Sequence, residues 1–88
     1  MTDGRNNTAL QALSDTASGT AVTVVRLDGG EGFRDKVISL GVIPGKTLTV
    51  QAYSRHGPLI VRLEGSRIAI GRELAGRILV RPTDPDAA

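Results

Sequence analysis

The sequence predicts a mainly β fold: a small, closed or nearly closed five-stranded barrel with one short α-helix after the first strand and a helical turn before the last. Three observations lead there. Apolar and polar residues alternate over 48–52 and 59–63, and again at Ile68 and Ile70, which is the period of half-buried strands. Turn segments, SRHG at 54–57 and Gly65-Ser66, separate these runs at hairpin lengths. The registers those turns impose send one apolar set to one face. The chain has 88 residues, which makes one small domain. Only 2% of them are aromatic, so the core must be aliphatic.

Residues 1–8 are polar and without period and read as a disordered tail. The ordered domain is expected over 9–81. Leu10 and Leu13 stand three apart, as one face of a helical turn places them, and are expected to plug the end of the domain. Ala21 to Asp28 is rich in β-branched residues and reads as the first strand. Its alternation is broken. Val22 and Val24 fit one frame and Val25 and Leu27 the other, which a bent or bulged strand reconciles.

A glycine loop at 29–32 leads into a helix whose stripe is Phe33, Val37 and Leu40. Gly41 is placed to end it in the left-handed conformation, with Val37 and Val42 as the apolar pair of a Schellman motif. Pro44-Gly45 has the composition of a type II turn, and a strand must follow it. A four-residue loop at 54–57 pairs Leu48 with Leu63, Val50 with Val61 and Ala52 with Leu59. A two-residue loop at 65–66 pairs Glu64 with Arg67, Leu63 with Ile68 and Val61 with Ile70. A one-residue slip would destroy the agreement. The outer face then carries Thr49, Gln51, Tyr53, Ile60, Arg62, Glu64 and Arg67. GRELAG at 71–76 is a helical turn, and 77–81 is the last strand with Ile78 and Val80 inward. The segment 82–88 holds two prolines and two aspartates and reads as a second disordered tail.

The first and last strands are expected to meet and hide each other's edges. With a helical turn before the last strand, this is the layout of an SH3-like barrel.

The net charge is +2. Residues 9–81 hold ten basic and six acidic residues, so the charge of the domain is +4. Nine of the eleven basic residues are arginine, whose fork suits carboxylate or phosphate. With no cysteine, disulfides and thiolate sites are excluded. The single histidine, His56, cannot supply paired imidazoles. No apolar run approaches the ~20 residues of a membrane helix, and the first residues lack a secretory signal, so a soluble cytoplasmic protein is expected.

Other motifs are weaker. DGGEGFR at 28–34 lacks both phosphate-loop fingerprints. Asp28, Glu31 and Asp35 are hard oxygen donors better matched to magnesium or calcium than to a selective transition-metal site; acids near a helix N-terminus also offset its dipole. No catalytic, cofactor or metal residues are assigned, and the chain is expected to be a non-enzyme. Scarce aromatics argue against nucleic-acid stacking. The surface of interest is Tyr53 and Ile60 beside Arg55, Arg62 and Arg67, a partner-binding patch in which apolar groups are rimmed by charge. Leu79 could extend it, or Ile60 could instead lie under the N-terminal turn.

The block ISLGVIPGKTLTV (38–50) together with GPLIVRLEGSRIAIGRELAGRILV (57–80), Leu10, Leu13 and VVRLDGG (24–30) resembles the FeoA family. The same domain is similar to the C-terminal module of some metal-dependent repressors. The resemblance implies an SH3-like barrel that acts in bacterial ferrous iron uptake. It implies an accessory and regulatory role exercised by protein–protein docking on the cytoplasmic part of the FeoB transporter, with its GTP-binding domain. The monomer is favoured. Two other functions remain open at this point: a nucleic-acid or metal-repressor-type module, and a direct Fe²⁺ carrier.

Overall fold

The computed structural model describes residues 10–53 and 57–83. Strand β1 (Gln11–Ala12) leads into a single 3₁₀ turn at Leu13–Asp15. Then come β2 (Ala21–Leu27), α1 (Glu31–Ser39), β3 (Thr47–Tyr53), β4 (Leu59–Leu63), β5 (Ser66–Ile70), α2 (Arg72–Ala75) and β6 (Ile78–Pro82). All strand pairs are antiparallel, in the order β1-β6-β2-β3-β4-β5. The first long strand meets the last, as the pattern requires.

Six strands stand where five were expected. The additional one, β1, pairs Gln11 with Val80 and Ala12 with Leu79. It separates the two leucines that were expected to act together: Leu13 is fully buried, but Leu10 is 38% exposed. Two residues are too few to show a period, so the strand exists because β6 offers it a partner edge. Gln11 Nε2 also donates to the hydroxyl of the buried Thr16, at 3.1 Å.

The bulge in β2 is present, and it falls between Val24 and Arg26 in the pairing with β6. Val22 and Val24 are buried before it and Leu27 after it, while Val25 is pushed out to 37% exposure. An extra residue on one strand switches the inward frame.

Helix α1 buries Phe33 and Val37. Its end is the Schellman motif. The Val42 amide donates to the Val37 carbonyl at 3.2 Å and the Gly41 amide to Ile38 at 2.9 Å. Gly41 has φ +93°, and Val37 and Val42 are both fully buried. In the next turn Gly45 has φ +97° and Lys46 donates to the Ile43 carbonyl at 3.1 Å, closing the type II turn. Backbone bonds from Gly45 to Val24 and from Val24 to Lys46, 2.8 and 2.9 Å, fix β3 beside β2.

The meander departs from expectation in two places. Val50 pairs with Val61 as predicted, but a bulge follows, so Ala52 faces Ile60 and Tyr53 faces Leu59. Ala52, expected inside, is exposed: the additional residue, Gln51, reverses the frame beyond Val50. At the second hairpin the loop is Glu64-Gly65, not Gly65-Ser66. Val61 pairs with Ile68, Arg62 with Arg67 and Leu63 with Ser66. Glu64 and Gly65 both have positive φ, 52° and 85°, as a type I′ turn requires. The partner moves by two residues, so the apolar faces are kept. The slide gives the buried Leu59 the buried Ile70 as partner, where the expected register left it no partner in β5. The expected Glu64–Arg67 pair is not formed, and Glu64 makes its ion pair with Lys46.

Leu13, Val22, Val24, Leu48, Val50, Leu59, Val61, Ile70, Ile78 and Val80 form the centre of the core. The sheet continues past Arg81. Pro82, placed in the tail by the sequence reading, ends β6, and the Thr83 amide donates to Ala21 at 3.0 Å.

Candidate docking surface

The outer face of β3, β4 and β5 is built in rows, because directly paired residues share a face. One row is Thr49, Arg62 and Arg67. The next polar-side row is Ala52, Ile60 and Ala69. Between them the row of Val50, Val61 and Ile68 turns inward, with Val50 and Val61 fully buried.

Three of the five expected partner-binding residues come together here. Ile60 is half-buried, Arg62 and Arg67 are exposed, and Ile60 lies two residues from Arg62 on β4. The Tyr53 backbone closes β3 opposite Leu59; its side chain, with Arg55 and His56, lies outside the described residues. Leu79 does not join the patch. It pairs with Ala12 and Arg26, and β2 and β3 separate its strand from β4. The N-terminal turn does not pair with β4 either. In its own row Ile60 stands between Ala52 and Ala69, which are small and both exposed. Ala52 could not be assigned here from sequence, because only the bulge at Gln51 turns it outward. Ala69 falls on this face in either register of the second hairpin, and its alternation with Ile68 and Ile70 was the available signal.

The arginines differ in their surroundings. Arg77 pairs with Glu73 at 3.8 Å, an exposed i,i+4 contact of small energetic weight. Arg34 reaches the Leu27 carbonyl at 3.5 Å. Arg62 and Arg67 face each other across β4 and β5, and among the described residues their side chains make no ion pair or hydrogen bond. Asp28, Glu31 and Asp35 are all exposed around the start of α1. Among the described residues no three His, Cys, Asp or Glu side chains are grouped to hold a metal ion. No described helix is long and apolar enough to cross a membrane.

The fold and sequence both have relatives. A protein of Methanocaldococcus jannaschii named "Putative Fe(2+) transport protein A" is 36% identical over 72 residues, covering 82% of this chain and 87% of that one. A Porphyromonas gingivalis protein named "Fe(2+) transport protein A/Fe(2+) transporter FeoB fusion protein" is 32% identical over 69 residues, which are 77% of this chain but 8% of the fusion. The crystal structure of an iron uptake regulatory protein (FeoA) superposes with a TM-score of 0.80 at 39% identity, covering 85% of this chain and all of the other. The fold is thus the SH3-like fold of these proteins. The FeoA domain model matches residues 11–82, from the first residue of β1 to the last of β6, and the chain belongs to the FeoA domain family.

Proposed function

We propose that the chain is an accessory protein of ferrous iron uptake that docks, as a monomer in the cytoplasm, on the cytoplasmic part of a FeoB-type transporter and regulates it through that contact, without catalysis of its own. The observation that carries this reading is the fusion protein, in which a region 32% identical to this chain shares one polypeptide with a sequence named for the transporter FeoB. Tethering gives two modules a high effective concentration without any new contact. A separate chain must supply the equivalent through a surface with its own affinity. The patch of Ile60, Arg62 and Arg67 supports that role, with Arg55 as its expected continuation: it joins an aliphatic anchor to guanidinium groups that have no ion pair among the described residues, a common composition of interface centres.

Calorimetric titration of the purified protein with the soluble cytoplasmic domain of a FeoB-type transporter from the same cell tests the proposal. Saturable binding near one to one is expected. Absence of binding, with tight stoichiometric uptake of Fe²⁺ by the isolated protein, would replace docking by a carrier function.

A further inference from the structure

We infer that the Ile60, Arg62 and Arg67 surface takes an acidic segment of the protein partner, one that presents a carboxylate about 7 Å from an aliphatic side chain, the distance spanned by two residues of a strand. The inference rests on the docking reading above and adds its contact chemistry.

The first observation is the directly opposed pair Arg62 and Arg67. Side chains in such pairs start about 4.5–5.5 Å apart at Cβ, and like charges there are destabilising. The residue that was positioned to neutralise Arg67, Glu64, is instead engaged by Lys46. The two guanidinium groups therefore repel one another across the ladder, and among the described residues neither has a side-chain partner. One carboxylate set between them would accept charge-assisted hydrogen bonds from both forks and remove the repulsion.

The second observation is the apolar row beside the arginines. Ile60 is half-buried between the exposed Ala52 and Ala69. An aliphatic group can settle against it without meeting a bulky neighbour. The two rows together thus specify one negative and one apolar group at strand spacing. The same charges disfavour a second copy of this chain, which would bring two more arginines to the surface. They would also attract phosphates, but only 2% of the chain is aromatic, leaving little for bases to stack on.

The test is calorimetric binding of the cytoplasmic domain of the FeoB-type transporter, first to three of four forms of the full chain. These are the wild type, Arg62→Glu/Arg67→Glu, and Arg26→Glu/Arg81→Glu as an equally charged change on exposed sites elsewhere. The first double variant should weaken binding by about tenfold or more, and the control by less than about threefold, since desolvated charge contacts outweigh remote ones. Arg62→Gln/Arg67→Gln, which adds no negative charge, should also weaken binding, and circular dichroism should show all four proteins folded. If the wild type binds and the Arg62/Arg67 variants bind equally well, the acidic-segment inference is overturned and docking stands. If the wild type does not bind, docking falls and this inference falls with it. Displacement of the domain by a ~20-nucleotide single strand would assign the surface to nucleic acid and overturn the inference as well.

Discussion

The sheet is bulged in β2 and again in β3, and the two bulges leave different things behind. In β2 the chain is anchored in the core on both sides, by Val22 and Val24 before the bulge and Leu27 after it. The additional residue carries the strand from one inward frame to the other, so both halves contribute to the interior. In β3 the buried residues, Leu48 and Val50, precede the bulge, and the next two side chains, Gln51 and Ala52, are exposed. There the irregularity places Ala52 beside Ile60. One local device bends a strand around a core in the first case and composes an outer surface in the second.

Leu27→Ala puts the largest strain on this contrast. Removing a buried leucine should cost about 2–5 kcal/mol in urea unfolding; a loss under ~0.5 kcal/mol would mean that β2 does not switch frames. Gly41→Val comes next, because the turn after α1 holds β3 beside β2. Gly41 has φ +93° and its Cβ position is 3.2 Å from Leu63, so a loss of about 1–3 kcal/mol is expected. In a domain of this size each kcal/mol lowers Tm by about 4–8 °C. Lys46→Ala removes the ion pair that ties the start of β3 to the β4–β5 turn. Both side chains are more than a third exposed, so the cost should be about 0.2–1 kcal/mol and vanish near ~1 M salt. The smallest effects, within about 0.5 kcal/mol, are expected for Val25→Lys and Ala52→Lys. Unfolding of Ala52→Lys alone would place Ala52 in the core and remove the distinction between the bulges.

The legibility of the two bulges in the sequence differs for the same physical reason. Val22, Val24, Val25 and Leu27 are all large and apolar, so two frames compete openly and only a bulge can satisfy both. Around Gln51 there is no such conflict, since alanine is acceptable on either face. The helix end was readable because Gly41, Val37 and Val42 each have one suitable place in a Schellman motif. The second hairpin was not, because Gly65-Ser66 suits one turn type and Glu64-Gly65 another at little local cost, and the choice fell to distant partners, Ile70 for Leu59 and Lys46 for Glu64. Of the candidate surface, Ile60, Arg62 and Arg67 followed from strand parity, which survives a two-residue slide. The opposition of the two arginines did not, because it depends on the register itself.

The strand β6 lies between β1 and β2, although it is the last of the six described strands in chain order. Val24 waits for Val80, and Gln11 for the same residue. During translation the meander of β3, β4 and β5 can assemble as soon as it clears the ribosome, from neighbours in sequence. The two N-terminal strands have no partner from β6 until residues 78–82 emerge, and β1 has none at all before then. The sheet is therefore completed by its last strand against its first two, a long-range closure of the kind that slows folding.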